Sequence, residues 1–246
     1  MNDSQSMLKR LRAALERHPG VNMHTNSITL LVVDGLLSLN GEIEDIAVKR
    51  QVRRIAVELF GADHILERLR VRPAEVLGDG AICDALRKRL MQERALRDLV
   101  TRVEAGDGQS RGESRRNDRS ESVTVSVDRG IVTLHGDVSS LMMKRLLEVL
   151  AWWTAGVAGV HNRLHVIPNE ADNDDEISDA VRMVLEKDPS LDAGQISVRV
   201  TDAVVTLEGL VPDRVHERMA SEDVWYIPGV HGVVNHLQRR LEGAGL

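Results

Sequence analysis

Residues 129–138 read RGIVTLHGDV, and two relatives of that phrase flank it, DGLLSLNGEI at 34–43 and DAVVTLEGLV at 202–211. Apolar residues alternate along each phrase, and a glycine holds the eighth place every time: Gly41, Gly136 and Gly209. The stretches just upstream, ITLLV from Ile28, VTVSV from Val123 and ISVRV from Ile196, alternate as well. A period of two with a turn between two runs is the pattern of a β-hairpin with one buried face. Gly41 shares its face with Leu37, Leu39 and Ile43, which point inward. A residue without a side chain there permits close approach of a helix, or a bulge in the strand, and Val in its place should overpack the site. All three glycines are therefore structural.

With the glycines superposed, the rest of the chain falls into register. Gly61, Gly156 and Gly229 coincide downstream, as do Leu69, Leu164 and Leu237. Upstream, LERHPGV, LMQERAL and LEKDPSL close three amphipathic segments. Met7, Leu8, Leu11, Ala14 and Leu15, like Ile177, Ala180, Val181, Val184 and Leu185, recur at helical spacing. Val48, Val52, Ile55, Ala56 and Leu59 mark a second helix, which a glycine ends, and a last strand such as NRLHVIP follows. Asp79, Asp174 and Asp175 stand before first helices, where side-chain caps and the helix dipole favour acids. Each unit is too long for a stacked solenoid repeat and suits a small domain. The reading is an α+β chain of three tandem αββαβ units at 1–73, 74–168 and 169–246, each a three-stranded sheet with two helices on one face.

These residues resemble the BON domain family, with its αββαβ order, a hairpin of the form "dG.VtLsG.V" and an ending "GV..V.N.L.V". The matches are DRGIVTLHGDV with GVAGVHNRLHV, then DAVVTLEGLV with GVHGVVNHLQR, and more loosely DGLLSLNGEI with FGADHILERLRV. Asn162 and Asn235 fit the ending, whereas the first copy has Glu67. The resemblance implies a binding module, with phospholipid association or envelope-stress maintenance among its roles.

Function should lie where the copies diverge. The second carries 22 extra residues, including GDGQSRGESRRNDRSES, polar and without periodicity, which reads as a disordered insertion near 104–121. The aromatic residues gather near the end of the second helix: Trp152 with Trp153, Trp225 with Tyr226, and Phe60. They read either as packing against a neighbouring copy or as a partner surface. Lys49, Arg50, Arg53 and Arg54, echoed by Lys144 and Arg145, form a basic helix edge, either solvated or attracted to anionic lipid. On the sheet face away from the helices, the first copy has Leu31, Val33, Leu36 and Leu66, whereas Thr124, Ser126, Thr133, His135, Arg163 and His165 make that of the second polar. Four clustered aliphatics call for a cover, from a sister copy or another subunit.

Catalytic chemistry finds no motif. The chain lacks a Walker loop, GxGxxG after a strand, HExxH, CxxC and GxSxG. His161 and His165 are four apart on a strand, about 13 Å, too far for one tetrahedral ion. No metal or cofactor is expected, and Cys83, the one cysteine, reads as a small core residue. The net charge is -6, and residues 169–246 hold 7 Lys+Arg against 16 Asp+Glu, which argues against nucleic acid as partner. With no signal-like opening and no run of apolar residues long enough to span a bilayer, the expected address is cytoplasmic. The expectation is a nonenzymatic binding or scaffold protein that engages protein, itself or an anionic membrane surface; the alternative is a structural homo-oligomer or adaptor without lipid binding.

Overall fold

The computed structural model describes residues 2–33, 35–97, 99–106 and 122–240. The chain divides into two units, Met1–Pro73 and Ala74–Leu246. The first holds α1 (Asn2–Arg17), β1 (Ser27–Val33), β2 (Leu36–Ile43), α2 (Ile46–Phe60) and β3 (Ile65–Val71). In the second, one repeat supplies α3 (Asp79–Gln92), β4 (Val100–Ala105), β5 (Ser122–Asp128), β6 (Ile131–Val138), α4 (Leu141–Trp152) and β7 (Gly159–Val166). The other supplies α5 (Asp174–Lys187), β8 (Ile196–Thr201), β9 (Val204–Val211), α6 (Arg214–Tyr226) and β10 (Gly232–Arg239).

All three repeats share one topology. A hairpin pairs the first two strands antiparallel, then the second helix crosses over to lay the last strand parallel to the middle one. Alternation decides what is buried. Leu37, Leu39 and Ile43 of β2 join Leu11 and Leu15 of α1 and Val52 of α2 in one core, and Val132, Leu134 and Val138 or Val205, Leu207 and Val211 are buried at the matching places. Each second helix starts on a side-chain cap that stands four residues after the repeated glycine. Asp45 accepts from the Val48 N–H at 2.9 Å, Ser140 from Met143 at 3.1 Å and Asp213 from Val215 at 2.8 Å.

The glycines are explained by backbone, not by a helix. At Gly41, Gly136 and Gly209 φ is +132°, +133° and +136°, and a Cβ would collide with the carbonyl oxygen of Ser27 or Ser122 at the start of the neighbouring strand, or of Gln195 just before it. Strand pairing runs through them without a break, so neither close helix approach nor a bulge accounts for them. Gly61 does cap α2, with its N–H donated to the Val57 carbonyl, but Trp153 and Ile227 cap α4 and α6.

The second repeat departs from three strands. Its sheet runs β4-β5-β6-β7, with β4 parallel to β5, because the extra segment first forms a strand along the open edge of β5. Residues 104 and 105, expected in the disordered insertion, belong to that strand, and Ser126 opposite Glu104 is buried. The remainder of the expected disordered insertion, 107–121, lies outside the described residues. The acids at the starts of α3 and α5 also have a different task from the capping expected of them. Asp79 accepts from the Arg129 and Gly130 N–H groups at 2.8 Å each, and Asp174 from Asp202 and Ala203 at 2.8 Å each. These N–H groups belong to hairpin turns with positive φ at Arg129, Asp202 and Ala203. Each acid therefore ties a first helix to its own hairpin.

Candidate functional site

Trp152 and Trp225 are both buried, and the Trp152 ring stacks on Tyr226 with centroids 5.9 Å apart. Trp153 is half-buried and donates its indole N–H to Asp223 Oδ1 at 2.7 Å. The aromatic ends of α4 and α6 thus form an internal seam between the two repeats of the second unit. An exposed partner surface at Trp152, Trp153, Trp225 and Tyr226 is not what the fold presents. Phe60 packs, half-buried, on the core of the first unit.

The basic edge is broken up in the same way. Lys49 is 8% exposed; its ammonium lies 2.8 Å from the Leu69 carbonyl and 2.8 Å from Glu67 Oε1. Arg145 is 2% exposed, donating Nε to the Pro228 carbonyl at 3.1 Å and Nη2 to Asp172 at 2.5 Å. Neither is available to an anionic surface, which corrects their expected place in the candidate lipid contact. Burying an unpaired cation is costly, and both have acquired remote partners. Arg53 and Arg54 are exposed, near Glu67 at 3.6 Å and Glu58 at 3.0 Å; Arg50 and Lys144 are half-buried.

Across the seam, Lys187 of α5 also meets Glu93 at 2.8 Å, and within the second repeat Arg89 of α3 donates to the Trp153 carbonyl at 3.1 Å. Burial acts to raise the Glu93 pKa, but hydrogen bonds from Lys187 and the Ala95 N–H outweigh it and hold the carboxyl below its usual range. Asp223 goes the other way. It is 5% exposed, and burial, with Asp188 and Glu222 nearby, pushes it up to about 8 against the opposing Trp153 hydrogen bond.

What stays open is the outer sheet face of the first unit. Leu31, Val33, Leu36 and Leu66 are 50%, 61%, 44% and 42% exposed. Register makes them contiguous: Leu31 and Leu66 flank Ser38, and Val33 stands opposite Leu36. The matching places around Thr133 and Thr206 hold Ser126 with His161 and Arg199 with Val234. A cleft of about 290 Å³ lies between α3 and β4, lined by Leu90, Met91, Leu96, Leu99 and Val103 with Arg87 and Arg97. Among the described residues, no three His, Cys, Asp or Glu side chains converge on a metal position, and no helix is long and apolar enough to cross a membrane. His135 meets His165 edge-on at 6.5 Å. Cys83 is buried in α3, and that burial raises its thiol pKa.

The family model of the BON domain matches residues 111–168 and 173–240, just over half of the chain. The chain belongs to the BON domain family. Both matched segments lie in the second unit; Met1–Pro73 repeats the topology outside the match. Two solved structures of CdsD, a structural protein of the type III secretion system of Chlamydia trachomatis, are similar over the length of this BON-domain chain. One, of the C-terminal domain, is 13% identical with a TM-score of 0.25, covering 98% of this chain and 98% of that one. The other is 14% identical with a TM-score of 0.24, covering 97% and 95%. No curated protein matches.

Proposed function

We propose that this BON-domain protein is a nonenzymatic binding scaffold that self-associates through the outer sheet face of its first unit. One observation carries the reading: Leu31, Val33, Leu36 and Leu66 form an exposed aliphatic patch, whereas the matching places hold Ser126, Asp128, Ile131 and His161 in the second repeat and Arg199, Thr201, Val204 and Val234 in the third, with no more than two aliphatics each. Contiguous exposed apolar surface marks a contact site. A second copy of the chain is the favoured occupant because repeats of this fold already cover one another inside the second unit, through the α4–α6 seam. Anionic phospholipid is the weaker reading, since Lys49 and Arg145 are consumed by internal partners.

Light scattering and sedimentation of the full chain test this, with Leu31→Lys/Val33→Thr as the variant. The expected result is concentration-dependent association of the parent chain and a monomeric variant with an unchanged circular-dichroism spectrum. A parent chain that stays monomeric, yet cosediments with anionic vesicles at low salt and is released at high salt, would transfer the patch to lipid.

A further inference from the structure

We infer that the open edge of β8 in the third repeat takes an extended peptide from a partner protein as a fourth strand, parallel to β8. The second repeat shows this arrangement completed within one chain. There β4 lies parallel along β5, with Val103 opposite Val125 and Glu104 opposite Ser126. Arg87 of α3 fixes it: Nη1 donates to Asp84 at 2.9 Å, and Nη2 donates to the Val103 carbonyl at 3.1 Å. The helix thus holds the added strand by its backbone, whatever side chains that strand carries.

The third repeat keeps the holder, while its sheet ends at β8. Counted back from Leu90 and Leu185, which the repeat superposes, Asp84 and Arg87 stand where Asp179 and Arg182 do. Arg182 Nη1 donates to Asp179 at 3.1 Å, and among the described residues its other N–H groups meet no acceptor. A cleft of about 200 Å³ runs between α5 and the strand, lined by Arg182, Leu185 and Glu186 of the helix and by Ile196, Ser197 and Val198 of β8. Burial separates a covered edge from an uncovered one. Val123 and Val127 of β5 are 1% and 0% exposed, whereas Ile196 and Val200, at the matching places on β8, are half-buried. Outward N–H and C=O groups on such an edge pair readily with an extended peptide.

The register of β4 gives the chemistry of the occupant. A residue at the place of Val103 stands beside Val198 and faces the cleft, so it is apolar. The next residue, at the place of Glu104, stands beside Arg199, which is exposed where its counterpart Ser126 is buried. On its other side Arg199 is opposite Thr206, and among the described residues it has no ion-pair partner. Opposite charges on neighbouring strands attract, so an acid completes this place. The occupant is an extended segment in which an apolar residue is followed by Asp or Glu. The first unit lacks the holder: Lys9 stands where Asp179 does, so α1 has no acid there to orient Arg12.

The probe is a fluorescent peptide carrying VTRVEA, the sequence of β4, added to the full chain, whose β5 edge is already filled. Anisotropy should show saturable binding, and NMR amide shifts should gather on Ile196–Thr201. Arg182→Gln should weaken binding about tenfold, because a charge-assisted hydrogen bond is lost, and Arg12→Gln should leave it unchanged. Arg199→Glu should weaken binding about threefold and favour instead a peptide with lysine at the place of Glu104. The Leu31→Lys/Val33→Thr chain should bind as the parent does, which keeps this edge separate from the proposed self-association. Absence of saturable binding, shifts gathered on β1, or binding indifferent to both Arg182→Gln and Arg199→Glu would overturn the proposal. Shifts on β8 that appear without peptide and grow with protein concentration would give the edge to a second copy and overturn it as well.

Discussion

Lys49 and Glu67 meet at 2.8 Å in the first unit at the two places that Lys144 and Asn162 occupy in the second repeat and Glu217 and Asn235 in the third. In those repeats the asparagine amide donates to the helix carbonyl, of Lys144 at 3.1 Å or Glu217 at 3.0 Å, while its oxygen accepts from the Leu164 or Leu237 N–H. In the first unit the Lys49 ammonium makes the tie instead, to the Leu69 carbonyl and to Glu67. One strand-to-helix tie is thus made in two chemistries.

Glu67→Ala should strand Lys49 in a buried site and destabilise the first unit by about 3 kcal/mol. Lys49→Met/Glu67→Ala should recover most of that loss. Urea unfolding of the four chains in a double-mutant cycle measures it; a double variant as unstable as Glu67→Ala would show that the charge pair is not what the site needs.

Gly136→Ala and Gly209→Ala should each cost more than about 3 kcal/mol, because the clash is with backbone and φ is positive. Gly80→Ala, in α3 with open space around it, should be neutral or stabilise by about 0.5 kcal/mol. Thermal melts of the three variants give the comparison directly.

Arg145 holds two chain segments at once, the loop with Asp172 before α5 and the Pro228 carbonyl after α6. Arg145→Met fills much of the volume and restores neither bond. It should lower the stability of the second unit by about 2 kcal/mol, and Arg145→Lys should rescue little, since one ammonium replaces a planar fork. Hydrogen exchange should rise on both segments together.

Acid should weaken the Glu93–Lys187 tie. The Glu93 pKa is lowered in the fold, so its contribution is present above the unfolded value and lost as the pH falls through the folded one. Glu93→Gln should flatten the acid limb of stability below pH 5 and leave the alkaline limb alone. A Glu93→Gln chain with an unaltered acid limb would remove this tie from the acid response.

The fold was legible because it rests on local periodicity repeated three times: alternation around Gly41, Gly136 and Gly209, and helical spacing in α1 and α5. The aliphatic face of Leu31 and Leu66 was readable for the same reason, since period two assigns faces. Lys49 and Arg145 were not. A cation in a basic helical run reads as solvated, and its burial here depends on Glu67, Asp172 and Pro228, from other elements. Asp79 read as a cap for the helix it begins, because its hairpin partners lie 50 and 51 residues away. The strand β4 was hidden in a polar insertion, where pairing with β5 rather than its own pattern makes it a strand.

That added strand changes what the second repeat offers to other chains. An unpaired sheet margin is a template on which a foreign extended peptide can grow, and β5 would otherwise be such a margin. With β4 laid along it, the margin becomes a six-residue strip carrying Arg102 and Glu104, short and charged enough to discourage stacking into fibres.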